Sequence, residues 1–368
     1  MGDYMDLNNY LKNLETLVNV DCGSNTPDGL KFVTKFFEEL YSDWIVEYHE
    51  LNKNNPVLVI KNRDVENFDF LFIGHNDTVF PEGTVAKRPF KIDGDIATGP
   101  GVYDMKSGLL SMYEVAKEFK DSKLNICIII NTDEEISSLI SRDLITEMGK
   151  KTKYALVFEP ARKNGNMVSE RKGLVKYEIT FKGKAAHAGI APQNGINAII
   201  EASRWVLEIS KLQNLELGNS INVGVISGGF GVNTVPDKAV IKFEGRSHDI
   251  KHFENIIKTL DTLKSTPYVN GIEIEVKEIG YRPPLVLNNL SKILLEKFDS
   301  AKAELGIEAE WEKTGGGSDA NFLGILGVGV LDGIGPIGGN SHEESEYLVI
   351  SSIEDRIEMI KKVLRTFL

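Results

Sequence analysis

The chain has 368 residues, with 42 Lys and Arg against 54 Asp and Glu, two Cys and a formal net charge of −12 at neutral pH. That length predicts two domains and a large buried core, and the acidic balance argues against nucleic acid and against anionic membrane surfaces as partners. Two thiols are too few for a disulfide framework, no run reaches the roughly 18 apolar residues of a membrane span, and the opening MGDYMDLNNYLKNLETL lacks the basic-then-apolar pattern of a secretory leader, so the expectation is a cytoplasmic protein with free thiols.

In chain order, Leu11, Leu14, Leu17 and Val18 recur at helical steps and predict an amphipathic first helix, followed by a second over 30–40. The apolar runs PVLVI, FDFLFIG, NICIII and YALVF read as strands. Between them, 107–119 carries Leu110, Tyr113, Ala116 and Lys117 at three- and four-residue steps and predicts a helix, and another is expected over 138–148. Strands alternating with helices predict an α/β domain whose mostly parallel sheet is covered on both faces. The style changes at Gly173: strand 174–182, helix 195–211, strands 221–227 and 238–245, helix 250–263, strand 272–278. That is the β-α-β-β-α-β order of a ferredoxin-like unit. Arg282-Pro283-Pro284 reads as a stiff linker, after which the helix–strand style returns. The last helix is expected to open at Ser351, with Ser351 and Glu354 as a capping box. The expected organisation is an α/β domain over 1–172 and 285–368 with a ferredoxin-like domain inserted over 173–284.

Polar residues of one chemical kind follow the strand-like runs. His75 and Asp77 come after FDFLFIG, Glu134 and Glu135 after NICIIINTD, Glu159 after YALVF, and His342 after VGVLDGIGPIGGNS; Asp104 lies in GPGVYDMKSG. In open α/β sheets functional groups gather beyond the carboxyl ends of strands. Two imidazoles and several carboxylates are the ligand inventory of a two-zinc hydrolytic site: zinc takes nitrogen and oxygen donors at about 2.0–2.2 Å, and two ions about 3.5–4 Å apart can activate a water between them. Singly, each residue has a plainer reading: a strand-end cap, an acidic helix start, a turn residue before Pro160, a surface histidine among Glu343, Glu344 and Glu346. Gly99-Pro100-Gly101 lacks the third glycine of a dinucleotide loop, and Ala320 stands where a nucleophile elbow around Ser318 needs glycine. The ordered set carries the reading.

That set (HND, GPGVYDMKSG, TDEE, FEP, GKAAHAG, NTVPDKA, GGGSDAN, GGNSH) resembles the zinc-dependent exopeptidase and deacylase family, which includes glutamate carboxypeptidase, aminoacylase, acetylornithine deacetylase and succinyl-diaminopimelate desuccinylase. The resemblance runs from about residue 10 to the C-terminus. It implies a di-zinc catalytic domain, with the inserted domain acting as lid and dimerisation surface. Asp104 would bridge two Zn2+ ions, with His75 and Glu159 completing one and Glu135 and His342 the other; Co2+ or Mn2+ can share such ligands. Glu134 would be the general base, and Asp77 the carboxylate that orients His75. The Asp104–Met105 bond would be cis. His187 in GKAAHAG would polarise the scissile carbonyl, reaching the site of a partner subunit. Asn233 and Arg246 would hold the substrate, the guanidinium fork suiting a terminal carboxylate, with backbone N–H groups of Gly315, Gly316, Gly317 and Ser318 facing that carboxylate. The sequence departs from many relatives at Ser107, in place of a glycine, and at Cys22, in place of a serine. The implied activity is metal-dependent hydrolysis of an amide bond next to a free carboxylate, as in glutamate carboxypeptidase. An N-acyl-amino-acid deacylase and then a di- or tripeptide aminopeptidase are the alternatives, and a metal-free binding protein on the same fold is the rival of another class. The implied partners are a small molecule or short peptide and a second copy of the chain, with no nucleic acid and no membrane.

Overall fold

The strands Phe68–His75, Ile126–Asn131 and Thr152–Val157 run parallel through the middle of a six-stranded sheet, with Gly329–Leu331 parallel to them at one edge. Their near-continuous apolar sequences follow from burial on both faces: every residue of Ile126–Asn131 is buried. Pro56–Lys61 and Ile45–Glu50 extend the sheet antiparallel at one side. The computed structural model describes residues 5–368; the first four, where the opening segment begins, lie outside the described residues. The chain forms two compact units, the larger made of the residues up to Glu170 with Leu285–Thr314 and Ser318–Leu368, the smaller of Arg171–Pro284 with Gly315–Gly317.

In the larger unit, alternate strand residues feed two cores. Phe70, Phe72, Ile128 and Ile130 point to one face, where Leu14, Phe37, Leu109, Phe298 and Ile357 bring in five helices: Leu7–Val18, Pro27–Leu40, Ser107–Phe119, Asn289–Leu305 and Ser352–Arg365. Leu71, Ile73, Cys127 and Ile129 point to the other, against Ile145, Met148 and Leu323 of the helices Arg142–Lys150 and Ala320–Gly324. Burying each such side chain stabilises the fold by about 1.5–3 kcal/mol. The register sets His75 opposite Asn131 and Ile73 opposite Val157, so three strands end nearly level. A second, four-stranded sheet lies in the same unit, in the order Gly338–Gly339, Tyr347–Val349, Ile96–Thr98, Lys91–Asp93, all antiparallel.

The smaller unit has an antiparallel sheet in the order Ser220–Gly228, Lys238–Ser247, Gly173–Lys182, Glu273–Arg282. Buried residues alternate with half-buried or exposed ones along Lys238–Ser247 and, from Val175 onward, along Gly173–Lys182. Its inner face, with Val175, Ile179, Phe181 and Ile241, meets Trp205 and Phe253 from the helices Ala198–Ser210 and Ile250–Ser265. Helices and strands follow the β-α-β-β-α-β order.

Three local expectations change. The strand expected to stop at 278 continues through a bulge between Glu278 and Gly280 to Arg282, because that stretch still pairs with Gly173–Lys182. The helix expected from 138 starts at Arg142; a 3-10 turn over Glu134–Ile136 precedes it, and Ser137 and Ser138 take left-handed backbone (φ 75° and 49°). Ser351 makes no capping box. Its backbone is helical (φ −61°, ψ −21°) where a cap needs extended backbone, and its hydroxyl donates to Asp95 Oδ2 at 2.6 Å. Among the described residues no helix is long and apolar enough to cross a membrane.

Candidate metal centre

The level strand ends bring the acidic and histidine residues of the larger unit together. His75 closes its strand, Glu159 follows Thr152–Val157 by two residues, and Glu134 and Glu135 form the 3-10 turn three residues beyond Ile126–Asn131. Asp104 comes from the loop leaving Ile96–Thr98, and His342 from the loop entering Tyr347–Val349. Their donor atoms form two triads that share one residue: His75, Asp104, Glu159 and Asp104, Glu135, His342. Asp104 faces both. Its Oδ1 lies 3.4 Å from His75 Nε2, and its Oδ2 lies 3.5 Å from His342 Nε2. Glu159 Oε1 is 3.6 Å from His75 Nε2, and Glu135 Oε2 is 3.2 Å from His342 Nε2.

These spacings fit metal ions. Two donors held about 2.0–2.2 Å from one tetrahedral ion stand roughly 3.3–3.6 Å apart, whereas good nitrogen–oxygen hydrogen bonds close to about 2.9 Å. The charge pattern agrees. Burial alone pulls the His75 imidazole down, yet Asp104, Asp77 and Glu159 hold it well above the ordinary histidine range. Burial pushes Glu159 well up against the pull of His75, with Asp104 and Glu134 pushing it further. Burial also raises Glu135, opposed by His342. Bonding to Asp104 and Glu135 lifts His342 to about 11, and Asp104 is held low because His342 and His75 outweigh its own burial. So many buried carboxylates at one point lack cationic compensation from the two imidazoles alone, and divalent cations would supply it.

The surroundings fix each donor. His75 Nδ1 donates to the Asp77 backbone carbonyl at 3.0 Å, nearer than the Asp77 carboxylate at 3.3 Å. The Asp77 carboxylate, fully buried beside that ring, also accepts from Ser24 Oγ at 2.7 Å and from the backbone N–H groups of Glu134 and Glu135 at 3.1 and 3.2 Å. Asp77 thus ties the Glu134–Glu135 turn to the strand end of His75. The Asp104–Met105 peptide bond is cis. Ser107 is buried and its carbonyl accepts from Tyr10 Oη at 2.6 Å; Cys22 Sγ donates to the Asn76 carbonyl at 3.0 Å.

Two buried carboxylates behind this turn are not among the candidates the sequence singles out. Asp319 accepts from Ser138 Oγ and Asn131 Nδ2. Asp133 Oδ2 accepts from the N–H groups of Ile140 and Ser141, at 2.7 and 3.2 Å. Together they hold the left-handed Ser137–Ser138 link that re-aims the chain after Glu135. Their one signal in the sequence is their place inside the TDEE and GGGSDAN runs.

The smaller unit assembles its own candidates. His187 and Asn233 share one two-stranded ribbon, His187 pairing with Thr234, and the Ala188 N–H donates to the Asn233 carbonyl at 2.9 Å. His187 Nδ1 accepts from the Gly189 N–H at 3.1 Å, so the neutral ring carries its proton on Nε2, the tautomer able to donate to a carbonyl oxygen. Arg246, near the end of its strand, is gripped side-on by Glu244, with Nε–Oε1 2.6 Å and Nη2–Oε2 3.1 Å, and its Nη1 donates to the Gly315 carbonyl at 2.8 Å. The Gly316 carbonyl accepts from Arg171 Nη1 at 3.2 Å; Gly317 belongs to the same unit. Ser318 belongs to the larger unit and is buried; its N–H donates to Asn321 Oδ1 at 2.9 Å and its hydroxyl to Asp332. Those bonds use the donors that the expected substrate contact needs.

A chain with this sheet and this paired donor cage is of the metal-dependent hydrolase class. The family model for peptidase family M20/M25/M40 matches residues 71–366, and the chain belongs to that family. It is 31% identical over 370 residues to carboxypeptidase G2 of Pseudomonas sp. (strain RS-16), covering 96% of this chain and 88% of that protein. It is 26% identical to succinyl-diaminopimelate desuccinylase of Shewanella piezotolerans, covering 81% and 82%. In fold it is similar to a metallo-carboxypeptidase of the family from Sulfolobus solfataricus, with a TM-score of 0.76 at 18% identity over 98% of this chain and 99% of that one.

Proposed function

We propose that the protein is a two-zinc hydrolase that cleaves an amide bond next to a free carboxylate, in the manner the name carboxypeptidase describes. The observation that carries this reading is the two-sided placement of Asp104, one oxygen toward each histidine-bearing triad. His75, Asp104 and Glu159 would hold one ion and Asp104, Glu135 and His342 the other. When bound, such a pair polarises the scissile carbonyl and makes the attacking water more acidic. Glu134, its N–H anchored on Asp77, takes the proton from that water and delivers it to the leaving amine. His187 Nε2–H donates to the carbonyl oxygen as negative charge builds there. The edge of Arg246 not taken by Glu244 receives the substrate carboxylate, with Asn233 and the Gly315–Gly317 segment beside it. The domain over 173–284 acts as the lid.

The same smaller unit supports pairing with a second copy. The strand Ser220–Gly228 is at the edge of its sheet, and Ile200, Leu207, Ile226, Phe230 and Val232 nearby expose large apolar side chains, more than a lone surface residue explains. Both cysteines are free and buried, in keeping with a reducing compartment. The desuccinylase relative favours an N-acyl-amino-acid deacylase as the second reading.

The test is a parallel assay of peptides ending in glutamate, N-acyl amino acids and free-amino dipeptides, with metal analysis. Two equivalents of zinc and turnover of the first class are expected. Glu134→Gln should keep both ions and lose about 10²–10⁴-fold in turnover; near-normal turnover would refute the general-base role, and a metal-replete chain without bound metal would refute the reading as a whole.

A further inference from the structure

We propose that Glu346 is a positioning residue for the metal centre, whose carboxylate joins the loop bearing Asp104 to the loop bearing His342. The inference rests on the two-ion reading and adds a residue that touches neither ion. Both loops hang from the small antiparallel sheet. The Asp104 loop leaves Ile96–Thr98, the His342 loop enters Tyr347–Val349, and the two strands pair with Tyr347 opposite Thr98. Glu346 stands at that junction with no exposed surface. Its Oε1 accepts from the N–H groups of Tyr103 at 2.9 Å and Asp104 at 3.1 Å, and its Oε2 from Gly101 at 3.2 Å.

The loop is shaped around this anion. Gly101 has φ 73°, and a Cβ there would meet Thr78 Cγ2 at 2.7 Å, so the position needs glycine. The turn aims three nearby N–H groups at one carboxylate, the arrangement of a backbone anion nest. Asp104 donates the third of those bonds, so its carboxylate is placed by the same contact. On the other side the chain from His342 to Glu346 is tight. Asn340 and His342 are left-handed (φ 59° and 68°), the Glu343 N–H donates to the Asn340 carbonyl at 3.1 Å and the Glu346 N–H to the Glu343 carbonyl at 3.2 Å. Arg88 Nη1 clamps the outside through the Glu343 and Glu344 carbonyls, at 3.1 and 2.6 Å. A shift at Glu346 therefore reaches His342 as well as Asp104. His75 ends, and Glu159 closely follows, central-sheet strands that Glu346 does not hold, so the half-site of Asp104, Glu135 and His342 depends on it most.

Glu346→Gln keeps size and removes the match. A carboxamide has one acceptor oxygen, so its NH2 must face either Gly101 or the Tyr103–Asp104 pair, donor against donor. Zinc is titrated into the metal-stripped full-length protein against a chromophoric chelator, with circular dichroism as the check on folding. The expected result is a loss of about 10–100-fold in affinity for one of two ions, the range for residues that orient metal ligands, with the other ion held within about threefold and turnover recovered by excess zinc at unchanged KM. Equal affinities in variant and wild type, or equal weakening of both ions, would overturn the inference. A wild-type chain binding fewer than two ions would instead overturn the two-ion reading, and this inference with it. If Glu346→Gln does not fold, Glu346→Asp, which keeps the charge but falls one methylene short, is titrated in the same way: selective weakening of one ion supports the positioning role, and equal affinities or equal weakening overturn it.

Discussion

Asp77→Asn separates two jobs that one residue could do. The substitution is isosteric, so the outcome turns on which carboxylate oxygen becomes an NH2. Placed at Oδ1, the NH2 faces the Glu134 N–H and sits beside the protonated His75 Nδ1. Placed at Oδ2, it faces the Glu135 N–H, while the Ser24 hydroxyl, now donating to the amide oxygen's side or turning to accept, can adapt. The second orientation strands one buried donor and is the better of the two. A stranded buried donor costs about 1–3 kcal/mol, and the lost anion weakens the remaining bonds, so the expected loss of stability is about 2–4 kcal/mol. His75 keeps its 3.0 Å bond to the Asp77 carbonyl. The ligand disturbed is therefore Glu135, which belongs to the other triad. Zinc titration of the stripped variant should show the ion of Asp104, Glu135 and His342 weakened by about 10–100-fold, and the ion of His75 and Glu159 weakened less. Urea unfolding of the metal-free protein gives the stability term. If the variant instead lost chiefly the ion held by His75, or neither, the assignment of the Asp77 carboxylate to the Glu134–Glu135 turn would be wrong.

His187→Ala should lower kcat by about 10²–10³-fold, as loss of one oxyanion donor does, with zinc content unchanged; equal loss of metal and activity would remove His187 from that role. Arg246→Ala should raise KM for substrates with a free carboxylate by about 10–100-fold, from a lost charged hydrogen bond of about 1.5–3 kcal/mol, and leave carboxamide analogues nearly unaffected; equal effects on both would refute carboxylate recognition. Burial raises the Cys22 thiol and pushes Cys127 up to about 12, so both stay protonated at pH 8, and a thiol reagent should find neither cysteine in the native protein and both in denaturant. Rapid native labelling of either would contradict its burial.

The parallel strands are legible in the sequence because a strand buried on both faces needs an unbroken apolar run, and FDFLFIG, NICIII and YALVF are such runs. Their ends then locate His75, Glu134, Glu135 and Glu159 with no knowledge of the register. The ferredoxin-like order is legible through strand alternation, as in Gly173–Lys182. The small sheet is not. Its strands are two or three residues long, too short for any period to show. Ile45–Glu50 is hidden for a different reason: it is an edge strand with no fully buried residue. Glu346 and Asp319 escape because a carboxylate that accepts hydrogen bonds from a distant segment looks, in sequence, like any acidic surface residue. Ser351 carries a local capping pattern, but its actual partner, Asp95, is 256 residues away.

The two triads are anchored by different means. His75 and Glu159 follow strands locked in register at the centre of the large sheet, and the His75 side chain is 1% exposed. His342 stands on a loop of the small sheet with its side chain 51% exposed. Asp104 belongs by position to the small sheet and by contact to both. The distance between the two triads is then set by how the small sheet is fixed to the large one, and not by either sheet alone. This explains why buried acceptors cluster on the connecting loops. Glu346 serves the Asp104 loop, Asp77 serves the Glu134–Glu135 turn, and Asp319 serves the link that follows it. Each is a carboxylate that receives donors from a second segment, which fixes a loop more tightly than apolar contact can, because a hydrogen bond has direction as well as distance. A metal-ligand cage tolerates little error in donor position, and these carboxylates supply on loops the rigidity that the strand ends supply to His75 and Glu159.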